Sequence, residues 1–238
     1  MSYLELAQTQ RSMITDDIRN SSTAISLIEA GIEQFGLYGL KATTRSVVEK
    51  AKANIAAIPY YFRNKKGLYL ACMHYIVDEI WAELGEGLGE GLGNELGKQL
   101  NQDSSGLKLN KAQSKAAYLN IMDRFCEFFL KDPKTQRWAQ LIMREHASPT
   151  EAYNIFYRRY YQHMQGFKAK LLACCLGKDE NDPRVKVQSH ALFGQAISFL
   201  VARESLIRGL GKEDLDAQDI DMIREVIREQ ILAILGAD

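Results

Sequence analysis

Apolar side chains at Ile25, Ile28, Ile32 and Phe35 stand three or four residues apart, a spacing that predicts a helix over 22–35 with one buried face. Ser21 or Ser22 suits its N-cap and Gly36 its end. After the connection "GLYGLKAT", Thr43 is placed to cap a second, short helix that buries Val47, Val48 and Ala51. The segment "AKAN" reads as a turn. Asn54 can then cap a third helix, and Asn64 a fourth that runs from Lys65 past Tyr75 to about Leu84. Three short helices followed by a long one form a helix-turn-helix unit joined to a second domain.

Residues 84–97, "LGEGLGEGLGNELG", place leucines four apart among six glycines. The leucine spacing favours helix, while each glycine costs about 1 kcal/mol relative to alanine, so a frayed or partly unwound joint is expected. "NQDSSGLKLN" follows as a loop. Helical periodicity resumes over 111–130, 133–145, 149–176, 183–208 and 216–235. Pro133, Pro149 and Pro183 open three of these, where a missing N–H has no helical partner anyway. No strand-like alternation appears. The expected fold is all-α, with a tail over 1–20, a helix-turn-helix domain over 21–66 and a larger helical domain over 67–238.

Composition agrees with this reading. The 238 residues are 46% hydrophobic and 25% charged, with only four prolines, as suits a helical chain with a sizeable core. No apolar run approaches a membrane span, and the start lacks a basic segment followed by an apolar one, so a cytoplasmic location is expected. Thirty basic residues balance thirty acidic ones, which argues against a protein that coats nucleic acid along its length. The balance is local, however. Lys41, Arg45, Lys50, Lys52, Arg63, Lys65 and Lys66 stand against Glu49 alone, seven minus one, a net of +6 over the helix-turn-helix. Cys72, Cys126, Cys174 and Cys175 show no metal-ligand spacing and read as buried apolar residues. No Ser/His/Asp or Cys/His constellation is visible, and all four histidines follow residue 70, so an enzyme is not expected.

The run "TTRSVVEKAKANIAAIPYYFRNKKGLYLACMHYI" resembles the DNA-binding region of TetR-family transcriptional regulators. In that family a Thr-initiated helix, a turn, a short recognition helix ending in aromatic residues and a Lys opening the next helix recur in this order. "REHASPTEAYNIFYRRYY" and "NDPRVKVQSHALFGQAISFLVARESLIRGLG" resemble the C-terminal regulatory domain of the CecR-like branch. The resemblance implies a ligand-responsive DNA-binding transcriptional regulator, a repressor that binds a palindromic operator as a homodimer. Its implied partners are double-stranded operator DNA, a second copy of itself and an apolar or aromatic small-molecule effector, with no cofactor, no metal and no membrane. The rival reading is a helical small-molecule-binding protein with a degenerate DNA-binding head.

Physical chemistry assigns roles within the motif. Thr43 and Thr44 at a helix N-terminus suit a phosphate oxygen, as does Lys65. Arg45 is long enough for phosphate or a guanine edge. On the recognition helix Asn54, Ala56, Ala57 and Tyr60 form the groove-facing set, and Ile58 and Phe62 face inward. Of Tyr60 and Tyr61, one is expected to pack rather than read bases. Two alanines can touch thymine methyls but form no hydrogen bonds, so Asn54, Tyr60 and Arg45 are left to carry direct readout. Two positions depart from the family pattern. Lys52 stands where glycine is usual, at a cost of roughly 1 kcal/mol if left-handed. Pro59 would be the fifth residue of a helix begun at Ile55; there it would remove the bond to the Ile55 carbonyl and bend the helix.

Farther on, Tyr153, Phe156, Tyr157, Tyr160, Met164, Phe167 and Leu171 recur at helical spacing. Core packing explains them, and so does a pocket for an aromatic effector, with Tyr153, Tyr157, Tyr160, His163 and Arg144 as ligand candidates. Gly194, Ser198 and Ala202 stand four apart as a strip of small residues, and the last helix places Ile220, Ile223, Ile227, Ile231 and Ile234 on one face. The resemblance implies that these two helices pair with their copies in a four-helix dimer interface.

Overall fold

The architecture follows from where each helix finds its cap and its core. The structure, a computed structural model, describes residues 13–91 and 109–236, and every regular element among them is helical. Two compact units emerge, one built from 13–83 with 137–161, the other from 84–91, 109–136 and 162–236.

In the first unit a short helix, α1 (Asp16–Arg19), precedes α2 (Ser22–Tyr38). Ser21 caps α2 by accepting from the Ala24 N–H at 3.2 Å. Gly36 does not end the helix; Gly39 does, at φ 58°, a conformation that costs glycine little. Gly36 is a close-packing point instead, since a Cβ there would stand 3.3 Å from Gln140 Oε1. A 3₁₀ turn (Gly39–Lys41) leads to α3 (Thr44–Ala51), whose N-cap Thr43 accepts from Ser46 N–H at 3.0 Å. Ala24, Leu27, Ile28, Ile32, Phe35, Val47 and Val48 make the core of this pair.

Lys52 closes α3 with φ 52° and ψ 37°, the left-handed conformation its position in the motif foretold. Helix α4 then spans Ala57–Phe62, two residues later than Asn54 as cap would allow. Asn54 Oδ1 accepts from Ala56 N–H at 2.9 Å, and the N–H groups of Ala57 and Ile58 bond the carbonyls of Asn54 and Ile55 at 2.9 and 3.3 Å. Those three-residue bonds form a tight lead-in turn. Pro59 is therefore the third residue of α4, inside the first turn, where its absent N–H would have had no helical partner. The Ile55 carbonyl, expected to be orphaned, is taken by Ile58. The predicted interior clash does not arise.

Arg63, at φ 66°, and Asn64 join α4 to α5 (Lys65–Gly91), with Asn64 Oδ1 accepting from Gly67 N–H at 2.9 Å. The turn is so tight that a Cβ on Gly67 would lie 1.9 Å from the Phe62 carbonyl oxygen. Helix α5 passes through the first half of the leucine-glycine repeat, the stretch expected to fray; the second half, with the loop after it up to residue 108, lies outside the described residues.

The rest of this unit comes from the end of α7 (Pro133–Ala147), from α8 (Glu151–Phe156) and from a π-helical turn (Tyr157–Tyr161). Arg144 donates from Nε and Nη2 to the carbonyls of Gly36 and Leu37 at 3.0 and 2.7 Å, filling acceptors that the end of α2 leaves open. Buried Glu145 accepts from Tyr69 Oη, from Thr150 N–H and Oγ1 at 3.0 and 2.8 Å, and from Tyr153 N–H at 2.9 Å. Pro149 thus precedes the cap, Thr150, rather than opening the helix. Trp81 Nε1 donates to the Arg159 carbonyl inside the π turn at 2.8 Å, and Arg159 Nη2 pairs with Asp78 at 2.7 Å.

The second unit packs α6 (Lys111–Lys131) among α9 (Gln162–Leu176), α10 (Pro183–Val201) and α12 (Ala217–Leu235), with α11 (Arg203–Leu210) as a short link. The single helices expected over 149–176 and 183–208 are both interrupted, by the π turn and by Ala202 at φ −105° and ψ 23°. Capping boxes at Asn110/Gln113 and Asp216/Asp219 fix the starts of α6 and α12. Arg224 clamps Asp123 with two bonds of 2.6 and 2.7 Å. Lys168 is 1% exposed, its Nζ 3.2 Å from the centre of the Phe193 ring, and burial holds its amine well below the ordinary lysine range.

Candidate nucleic-acid interface

The surface that α3, the lead-in turn and α4 share is set by what lies beneath it. Ile58 and Phe62 are each 2% exposed, so the opposite side of α4 is turned outward. Ile55 and Tyr60 stand on it, 56% and 80% exposed, with Asn54, Ala56 and Pro59 also exposed and Ala57 half-buried. Tyr61 is the packing tyrosine of the pair: half-buried, it accepts from Ser21 Oγ at 2.8 Å and meets the Tyr60 ring edge-on at 4.7 Å.

At the start of α3, Thr43 is exposed and keeps its own O–H to donate while its oxygen caps the helix; Thr44 beside it is half-buried. Arg45 reaches along the exposed face to Glu49, Nε to Oε1 at 2.9 Å. Lys65 does not point free. Its Nζ donates to the carbonyls of Leu40 and Ala42 at 2.9 and 3.2 Å, fastening the connection before α3. Lys50 pairs with Glu33 at 2.5 Å and Lys66 with Glu151 at 2.6 Å. Lys41, Lys52 and Arg63 are exposed with no carboxylate partner among the described residues. The +6 patch is thus a rim in which three cations are held by acids, one serves the backbone, and three are open to an anion. Sequence reasoning left Ile55 out of this surface. Its exposure follows from the late start of α4, which puts it in the turn and out of the helix.

The ligand candidates do not form one cluster. Tyr153, Tyr157 and Tyr161 make an outer ladder, successive rings 5.9 and 5.8 Å apart and inclined by 31° and 30°, with His146 edge-on to Tyr153 and Tyr161 at 5.2 and 5.6 Å. Tyr160 is buried beneath against Trp81, and burial pushes its hydroxyl above the ordinary tyrosine range. Arg144 is engaged at the end of α2, and His163 belongs to the other unit. Between α6 and α12 a crevice with room for about one water molecule is lined by Met122, Cys126, Ile227 and Ile231, among others.

Of the dimer candidates, Gly194, Ser198 and Ala202 are exposed, in line with exposed Val187, Ala191 and Val201. Ile223, Ile227 and Ile231 are 5%, 2% and 0% exposed because they pack inside their own chain, and so offer no surface to a second one. The outward side of α12 carries Met222, Val226 and Ile234 instead, so Ile234 does not share the buried face on which the sequence spacing puts it. Cys72, Cys126 and Cys175 are buried and Cys174 half-buried, all as free thiols. Among the described residues no helix is long and apolar enough to cross a membrane, and no group of His, Cys, Asp and Glu is placed to hold a metal.

Comparison with known proteins agrees with this geometry. Residues 27–72 match the family described as bacterial regulatory proteins, tetR family, and residues 115–237 match the C-terminal domain of the HTH-type transcriptional dual regulator CecR. The chain is 30% identical to the dual regulator CecR of Shigella flexneri over 221 residues, 92% of this chain and 93% of that one. A shorter match, 38% identical over 52 residues, relates it to the HTH-type transcriptional regulatory protein RaaS of Mycobacterium tuberculosis and covers 22% of this chain and 24% of that protein. Its fold is similar to that of a transcriptional regulator from Rhodococcus sp. Rha1, with a TM-score of 0.55 at 15% identity, covering 88% of this chain and 95% of the other. Head and C-terminal region together identify the chain as a member of the TetR family of DNA-binding transcriptional regulators, in its CecR-like branch.

Proposed function

We propose that the protein is a homodimeric, effector-responsive repressor that binds a palindromic operator, with residues 21–66 reading DNA and 67–238 serving dimerisation and effector binding. The observation that carries the reading is the outward face of α4, unpacked on its own chain, rimmed by open cations and braced from below by Ile58 and Phe62. Thr43, Thr44 and Arg45 serve phosphate positioning, and Asn54, Ala56, Ala57 and Tyr60 face the groove. Tyr61 and Lys65 hold the unit's geometry. Two copies of α4 one helical turn of DNA apart read two half-sites, and a bound apolar or aromatic effector favours a geometry that misses that spacing. The exposed strip on α10 with the outward side of α12 supplies the intersubunit surface. Degeneracy of the head is disfavoured because both departures from the motif are accommodated, Lys52 as a left-handed cap and Pro59 in the first turn.

The test is binding of the purified protein to DNA from upstream of its own gene, followed by fluorescence anisotropy at several salt concentrations beside an unrelated fragment. Selective binding that weakens steeply with salt is expected. Equal, weak binding to both fragments would overturn DNA reading. Since the Shigella relative is described as a dual regulator, a reporter assay should be scored for activation as well as repression.

A further inference from the structure

The hydrogen-bonding side chains expected to read bases are partly committed within the chain. Asn54 Oδ1 holds the Ala56 N–H at 2.9 Å, so one of its two lone pairs is taken and the amide is oriented by the turn before it meets a base. Arg45 lies along α3 against Glu49, and the ammonium of Lys65 is on two carbonyls. What stands out from the turn into α4 is mostly apolar: a branched aliphatic side chain at Ile55, the methyl of Ala56 and the ring of Tyr60, which ends in a hydroxyl. An aliphatic group more than half in water, on a helix-turn-helix that also exposes Lys41, Lys52 and Arg63, suits a polyanion that itself presents an apolar group. Double-stranded DNA has one such group in its major groove, the thymine C5 methyl.

We propose that Ile55, with Ala56 and the ring of Tyr60 beside it, selects the operator through thymine C5 methyl groups. The inference rests on the DNA-reading function proposed above and names the chemistry of that site. It assigns specificity to a residue that forms no hydrogen bond with a base edge. Asn54 is then a positioning residue, which fixes the turn that carries Ile55.

The experiment starts by selecting bound sequences from a random pool of duplex DNA, then remakes the enriched site with deoxyuridine in place of every thymidine. Base pairing is retained and only the methyl groups are lost. Wild-type protein is expected to bind the uracil duplex roughly tenfold more weakly than the thymine duplex, the discrimination typical of a good base contact. Ile55→Ala should shrink that ratio to about twofold, and Ile55→Val, which keeps a branched methyl pair, should retain most of it. Since Ile55 is exposed, both variants should unfold at the wild-type temperature. Equal wild-type affinity for the two duplexes overturns the inference and leaves DNA reading intact. An unchanged ratio in Ile55→Ala also overturns it, because the methyls would then act through DNA shape. Failure of any sequence to enrich would sink the inference together with the function on which it rests.

Discussion

His74 is a base that the fold keeps unprotonated. It is 6% exposed, and Arg159 Nη1, which can only donate, points at its Nδ1 from 2.8 Å. Burial first and the Arg159 charge second bring its pKa from 6.5 down to about 4, against a smaller opposing pull from Asp78. Between those values the unfolded chain binds the proton and the folded chain does not, so stability must fall as the pH is lowered. The loss from pH 7 to pH 4 attributable to this group is up to about 3 kcal/mol, and His74→Gln should flatten that part of a urea-denaturation series. Lys168 has the same sign on the alkaline side. A neutral buried amine set against a protonated unfolded one makes stability rise with pH toward 10.5, so Lys168→Met should raise the melting temperature at pH 7. At Gly67 a Cβ would meet a backbone carbonyl at 1.9 Å, and Gly67→Ala should cost at the upper end of the roughly 1–3 kcal/mol typical of overpacking. None of the three is visible in sequence. A lone His, Lys or Gly in a helical stretch has no periodic signature: His74 and Lys168 owe their state to Arg159 and Phe193, distant along the chain, and Gly67 to the backbone path of the turn just before it.

Helix α4 shows why the type of an element was legible when its start was not. An Asn that caps a helix and an Asn that closes a turn both accept from an N–H two residues on, and the 2.9 Å bond from Ala56 to Asn54 serves either. Sequence therefore admitted a helix from Ile55, and only the bonds from Ala57 and Ile58 back by three residues show that it begins later. The functional weight of that shift falls on Pro59. In a first turn it restricts the unfolded chain at no hydrogen-bonding cost, so Pro59→Ala should leave the melting temperature unchanged or lower stability by up to about 1 kcal/mol. A rise would restore the interior clash. The π turn was hidden for a related reason: aromatic residues four apart at Tyr153, Tyr157 and Tyr161 fit an α-helical face, and a ring ladder does not reveal the extra residue in the backbone beneath it.

At the scale of the whole molecule, the periodic apolar face of the last helix said that Ile223, Ile227 and Ile231 are covered, but period alone does not say by what. Their own chain covers them, so in the proposed dimer the contact would have to come from side chains left in water. Light scattering at micromolar concentration should return twice the 26.9 kDa of one chain, and Val201→Arg, at a position 65% exposed here, should return a single mass while keeping helix content. The helix-turn-helix itself was the most legible part, since caps, core residues and charge rim all lie within one short run. Its dependence on distant sequence was not. Arg144 closes the end of α2 from 108 residues away, and Glu145 holds Tyr69 of α5. A fragment ending at residue 91 should therefore unfold at a lower temperature than the full chain's first transition, or without a cooperative transition. The DNA-reading head is not a detachable cassette: grafted onto another regulator without residues 137–161 it would arrive without its own keystone, so any exchange of specificity between relatives has to move two separate stretches of gene together.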